Sequence, residues 1–278
     1  MKRFLPLIPL SKLVRSPEWA KASIIALGVF STMYAINALF FEVNPGKGWG
    51  LTYGWVAAVL MFGAGLYAAR RRMFHRDLGR SKVWVQFHLY GGTLGAVLVL
   101  FHTGFSLPNG VFNWLLWGLA VWITLSGFLG LALQRWIPRL LTSGLSVEAV
   151  YERIPELVQQ LRERAEKLVA SCAAPIKDFY RSHVAAALVA PQPRLIYYLD
   201  VTGGIQSRVR QFDFLRRVLP TEEKSKLDEI QLIFRTKLEL DAHYSLQRAL
   251  RWWLYTHVPL SFVLLLMILL HIWAVWYY

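Results

Sequence analysis

The sequence predicts an all-α membrane protein: five transmembrane helices, with a mainly helical insertion before the last. Three observations carry that expectation. Of 278 residues, 55 % are hydrophobic and 14 % aromatic, with a mean hydropathy of +0.37, which is beyond the usual range of soluble domains. Five stretches stay apolar over the roughly 20 residues that a helix needs to cross a bilayer core. Lysine and arginine collect on alternate connections between those stretches, as they do in multi-pass proteins.

Residues 1–21, MKRFLPLIPLSKLVRSPEWAK, begin with a basic start and a short apolar patch. Pro6 and Pro9 break the patch and no small-residue cleavage site follows, so the segment is expected to stay in place at the cytoplasmic interface. The spans follow at residues 22–42, 50–69, 84–105, 111–134 and 253–276. Trp49, Trp84, Trp114, Trp136, Trp252 and Trp276 mark their ends like an aromatic belt. Lys2, Arg3, Lys12, Arg15 and Lys21 precede the first span, and Arg70, Arg71, Arg72, Arg76, Arg80 and Lys82 fill the loop after the second. The opposite loops, EVNPGKGWG and SLPNG, hold a single lysine. The asymmetry places the N-terminus inside and the C-terminus outside a bacterial-type inner membrane, and makes spans three and five parallel.

Residues 135–250 form the cytoplasmic insertion. SVEAVYERIPELVQQLRERAEKLVAS has helical apolar spacing through Val150, Ile154, Leu157, Leu161 and Leu168. RLIYYLDVTGG is expected as a short strand ending in a turn at Gly203–Gly204. Thr221, with Glu222 and Glu223, reads as the start of a helix that runs on into the last span, residues 251–278.

Several function classes drop out. A single cysteine, Cys172, excludes a disulfide framework, a cysteine-ligated iron–sulfur cluster and a CxxCH haem attachment site. Net charge is +14, but its distribution fits anionic lipid at the inner face rather than nucleic acid. Serine-nucleophile and phosphate-loop motifs are absent.

The chemistry rests on histidine. Four of the seven histidines lie inside spans: His88 and His102 on the third, His257 and His271 on the fifth, fourteen residues apart on each. Fourteen residues are close to four helical turns, so the two imidazoles of a helix share a face to within about 40° and differ in height by about 21 Å. On parallel helices the heights match, His88 with His257 near the inner leaflet and His102 with His271 near the outer. Facing imidazoles at two depths suit two non-covalent b haems, each held by two axial histidines. Interhelical hydrogen bonding or a proton relay is the rival for such costly intramembrane groups, but a relay does not require matched pairs.

Other candidates are secondary. Gly95 lies seven residues from each histidine of span three, where its small size admits a macrocycle or another helix; Gly91 and Gly92 are less well placed. Lys82 and Arg251 each precede an inner histidine by six residues and are candidates for haem propionates, or for ordinary anchoring. Pro259 frees the carbonyl of Tyr255 and is expected to kink its helix. His75, His183 and His243 are isolated, Cys172 reads as a structural thiol, and Glu42 and Asn44 suit a helix end better than a quinol site.

Two parallel membrane helices, each with histidines fourteen apart, resemble the di-haem cytochrome b of quinol–cytochrome c reductases. The membrane domains of NADPH oxidases and ferric reductases are similar in pairing two such helices. THVPLSFVLLLMILLHIW also resembles the last helix of bacterial respiratory cytochrome b subunits. The resemblance covers the haem-binding spans. It implies His88–His257 for the inner haem iron, His102–His271 for the outer, and electrons crossing the membrane between them. A Pro-Glu-Trp-Tyr quinol loop is missing at the outer face; Pro17-Glu18-Trp19 lies on the inner side and is followed by Ala20. No dinucleotide fingerprint or flavin domain follows the last span, which argues against an autonomous NADPH oxidase. The expectation is a subunit of a respiratory complex working between the quinone pool, with quinone or quinol as substrate, and a redox partner subunit of c-type multihaem or iron–sulfur kind. Its rivals are a stand-alone transmembrane reductase of ferric ion or oxygen species and a transporter with a histidine relay.

Overall fold

The computed structural model describes residues 16–41, 43–72, 79–142, 145 and 149–277. Those residues are mostly helical, with no strand among them. Five helices are long and apolar enough to cross a membrane, which is consistent with a multi-pass membrane protein. They are α1 (Pro17–Phe40), α2 (Gly48–Arg72), α3 (Ser81–His102), α4 (Val111–Thr142) and the span carried by a 57-residue helix, Thr221–Tyr277. Pro17 begins α1 where a missing N–H costs nothing, so the helix starts before the predicted apolar stretch. Arg71, Arg72 and the loop with Arg76 and His75 supply sequence charge only, since no side chain there is among those described.

The chain divides into two units, residues 1–135 with 253–278, and residues 136–252. In the first, α2 and α3 are the most closely packed helices. Small residues let them approach: a Cβ on Gly95 would sit 3.4 Å from Leu60 Cβ and Met61 Cγ and 3.5 Å from the Ala57 carbonyl. Tyr53, Ala57, Leu98 and Phe101 form one core with α1, whose Tyr34 ring stacks on Phe101 at 4.5 Å. A second core joins Ala58 of α2 and Leu264 and Ile268 of the last helix to Leu116, Leu119 and Ile123 of α4. Much of α1 is left exposed, with Ile24, Ile25, Leu39 and Phe40 all more than 60 % accessible, which suits lipid contact.

The second unit contains α5 (Ile154–Ala170), α6 (Ala174–Phe179), α7 (Val201–Val209), α8 (Gln211–Val218) and the first part of α9 (Thr221–Tyr277), joined by short 3₁₀ and π turns. The helix starting at Thr221 does run without interruption through the last span, Pro259 included. Pro155 delays α5 to Ile154, and its buried stripe is Ile154, Val158, Ala165 and Val169, leaving Val150 exposed. The strand expected at RLIYYLDVTGG is instead a 3₁₀ turn, Leu195–Tyr198, followed by α7. Asp200 is the reason. Its carboxylate accepts the Gly203 N–H at 2.8 Å and caps the helix, placing both glycines in the first turn.

Phe212, Phe234, Ile176 and Leu188 are fully buried in this unit, each contributing about 1.5–3 kcal/mol of apolar burial. Lys237 and Asp241 form a fully buried ion pair at 2.6 Å, and Asp241 also accepts the Gln192 N–H at 2.8 Å. Burial pushes the Lys237 amine down and the Asp241 carboxyl up. The Tyr197 phenol, buried and facing Asp241, is pushed up to about 12.

Candidate metal centre

The four span histidines come together as two pairs. The ring centroids of His88 and His257 are 6.4 Å apart, and those of His102 and His271 are 6.3 Å apart. Because the order along both helices is the same, α3 and the span of α9 run in one direction. The ring planes cross at 78° in the first pair and 85° in the second.

Hydrogen bonds fix the imidazoles of α3 from α2. His88 Nδ1 lies 3.0 Å from the Ala64 carbonyl, and His102 Nδ1 lies 2.9 Å from the Gly50 carbonyl. Ala64 and Gly50 are themselves fourteen residues apart on an antiparallel neighbour, so one spacing matches the other. A carbonyl only accepts, so Nδ1 carries the proton in both rings and Nε2 keeps its lone pair. The carbonyls are reached because the residues one turn on, Ala68 and Gly54, are small. A Cβ on Gly54 would fall 2.6 Å from His102 Nδ1, too close for the ring to stay where it is.

His257 is held differently. Its Nδ1 lies 2.8 Å from Ser126 Oγ on α4, in a buried contact, and its ring is stacked on Trp253 at 5.4 Å. Trp253 in turn donates its indole N–H to the Ser126 carbonyl at 2.7 Å. Its ring fits against α4 because residue 130 is glycine; a Cβ there would meet the indole at 2.0 Å. His271 makes no hydrogen bond among the described residues and stacks on Phe112 at 6.5 Å.

Each pair faces a cavity. His102 and His271 share one of about 610 Å³ with Gly54, Asn113 and Trp117 among its walls. His88 and His257 share one of about 210 Å³, into whose walls Tyr67 and Trp253 lean against the imidazoles. Met61, Ala120 and Leu264 line both cavities and separate them. Among the described residues no three His, Cys, Asp or Glu side chains converge, so each level offers two imidazole donors and no more.

The other predicted residues lie elsewhere. Gly95 is committed to packing against α2 and lines neither cavity; its close approach is to a helix. Lys82 is exposed at the start of α3. Arg251 belongs to the second unit, where it pairs with Glu152 and lies over the Tyr151 ring at 4.2 Å. Glu42 and His75 lie outside the described residues. Asn44 accepts the Gly46 N–H at 2.9 Å in the turn before α2. His183 is exposed and stacks on Phe179, His243 is buried in the second unit, and Cys172 is buried with its thiol donating to the Leu168 carbonyl. Ser126, Trp253 and Gly54 escape a reading that looks for titratable residues. Their one sequence signal is small residues within apolar spans, Ser126-Gly127 with Gly130, and Gly54.

The chain matches no protein-family model, no curated protein and no solved structure.

Proposed function

We infer that the chain is the membrane cytochrome b subunit of a respiratory electron-transfer complex. It would hold two b haems, one on His88 and His257 and one on His102 and His271, and carry electrons across the membrane between the quinone pool and a redox partner subunit.

The observation that carries this reading is the spacing of the imidazole pairs. Two iron–nitrogen bonds of about 2 Å, plus about 1.1 Å from each coordinating nitrogen to its ring centre, put the centroids of a bis-imidazole pair about 6.2 Å apart. The two pairs stand at 6.4 and 6.3 Å. The donor count points the same way. A tetrahedral zinc site takes three or four protein ligands, whereas a macrocycle that brings its own equatorial donors takes two. The outer cavity, at about 610 Å³, is of the size that cofactors occupy. The inner one, at about 210 Å³, is smaller, with Tyr67 and Trp253 among its walls.

When bound, such a group supplies one-electron ferric–ferrous chemistry. The chain's own part is to hold and insulate. The carbonyls of Ala64 and Gly50 fix the tautomer of the α3 histidines and raise their basicity toward a metal. Met61, Ala120 and Leu264, apolar residues common to the walls of both cavities, would insulate one level from the other. That apolar partition disfavours a histidine proton relay, which needs a hydrogen-bonded path, and leaves electron transfer possible. With a single cysteine, the chain itself has no ligand set for an iron–sulfur cluster, which is why donor and acceptor are placed outside it.

The test is the reduced-minus-oxidised absorption spectrum of the purified protein with its haem stoichiometry. Two b haems per chain are expected, falling to one in His257→Ala and in His271→Ala. The absence of a b-type band from the wild-type protein, or full haem content in both variants, would overturn the reading.

A further inference from the structure

The inner and outer pairs are built from similar parts with one difference. Three imidazoles anchor Nδ1: His88 and His102 on backbone carbonyls of α2, and His257 on the Ser126 hydroxyl of α4. Ser126 is therefore the one side chain among the described residues that bonds a paired imidazole. Its single proton is used elsewhere, because Oγ lies 3.1 Å from the Ile123 carbonyl and donates to it. The hydroxyl oxygen is then left as acceptor, so the His257 Nδ1 carries the proton and its Nε2 keeps a lone pair.

Ser126 is not simply a serine satisfying its own helix. Both it and His257 are only 7 % accessible, so water does not compete for the contact. The surrounding side chains hold it in place. Trp253, one turn before His257, binds the Ser126 carbonyl with its indole N–H and stacks on the imidazole. Gly127 lies under the ring, with a Cβ there 3.7 Å from His257 Cε1. Gly130 makes room for the indole. Helix α4 carries no histidine, yet its Ser126-Gly127 and Gly130 receive both rings of α9.

We propose that Ser126 is a positioning residue of the inner site, accepting the His257 Nδ1 proton so that Nε2 is held toward His88, and that it sets the potential of the inner centre without affecting the outer one. This rests on the reading of the histidine pairs as haem ligands. A hydrogen bond from Nδ1–H to an acceptor gives the imidazole partial imidazolate character, which favours the ferric over the ferrous state. Removing the acceptor raises the potential of that iron alone. Where the loss of such a partner weakens the hold on ferric iron tenfold, the low end for outer-shell partners, and leaves the ferrous state unchanged, the one-electron potential rises by about 59 mV.

The experiment is a redox titration of the full-length protein in detergent, followed by optical and electron paramagnetic resonance spectra, on wild type, Ser126→Ala, Ser126→Thr and His257→Ala. The inner component is identified as the one that His257→Ala abolishes. In Ser126→Ala that component should titrate about 59 mV higher with an altered low-spin signal, while the outer stays in place. Ser126→Thr, which keeps the hydroxyl, should restore the wild-type values. Selective loss of the inner haem in Ser126→Ala, with rescue by threonine, also supports the assignment. It is overturned if both components of Ser126→Ala titrate as in wild type, if both move together, or if threonine behaves like alanine. A wild-type protein with no b haem would instead refute the underlying reading, and is distinguishable before any variant is made.

Discussion

Replacing Gly54 by alanine tests how the outer site is built. A Cβ at this position falls 2.6 Å from His102 Nδ1 and 2.8 Å from Cε1, about 0.8 Å short of ordinary van der Waals contact. The α2 backbone is fixed by its packing on α3, so the imidazole must move. Its bond to the Gly50 carbonyl is 2.9 Å long and runs over the very turn that the new methyl fills. A displacement of that size takes the contact beyond hydrogen-bonding range, costing about 0.5–1.5 kcal/mol. Alanine returns up to about 1 kcal/mol through better helix propensity, so the two effects nearly cancel and the protein should fold. The site does not share in that compensation. His102 loses its tautomer and its direction, and on the proposed haem reading the outer haem is expected to fall below half of wild-type occupancy. The inner haem should stay near full occupancy, four turns or about 21 Å away along the helix. Haem stoichiometry by pyridine haemochrome against protein concentration gives the measurement. Two haems per chain in Gly54→Ala, with potentials unchanged, would refute the argument that this glycine opens the bay for His102.

Other outcomes follow from the same geometry. The ring planes cross at 78° and 85°, so on the proposed haem reading the two ferric centres should give strongly anisotropic paramagnetic resonance signals; rhombic spectra typical of coplanar imidazoles would contradict the crossing angles. Gly130→Val pushes on the Trp253 indole and should lower inner haem occupancy while sparing the outer, measured by the same stoichiometry. In the second unit, Lys237→Ala leaves Asp241 buried without its cation and should cost about 3–5 kcal/mol; the double replacement Lys237→Met with Asp241→Leu should cost much less, read from protease resistance of residues 136–252. Glu223 is held below its ordinary 4.5 by the Lys226 ammonium and the Ala173 N–H. A lowered carboxylate stabilises the fold above its unfolded pKa and loses that contribution as pH falls through the folded one. Hydrogen exchange at residues 171–176 should therefore speed up on acidification below about pH 4.5 in wild type, and be insensitive there in Glu223→Gln.

How much of this was legible in the chain depends on the kind of interaction. Histidines fourteen apart on two spans predict shared faces because helical period alone fixes them. Gly95, between two histidines, offered room for a macrocycle or for another helix, and only the position of Leu60 and Met61 shows a helix against it. Arg251 lies six residues before His257, and only the tertiary structure shows its pairing with Glu152, ninety-nine residues away in sequence. The strand expected at RLIYYLDVTGG, residues 194–204, failed on a local detail, the Asp200 cap, which turns its second half into the start of α7.

By itself, the sequence determined a mainly helical chain with five helices long and apolar enough to span a membrane, and the place of four imidazoles on two of them, since these depend on composition and on a period set by backbone geometry. The tertiary structure decided which atoms hold those imidazoles. Two carbonyls of α2, the hydroxyl of Ser126 on a helix without histidine, and the space left by Gly54 and Gly130 carry no titratable group. Their part arises only where one helix surface meets another, and no pattern within a single helix encodes it.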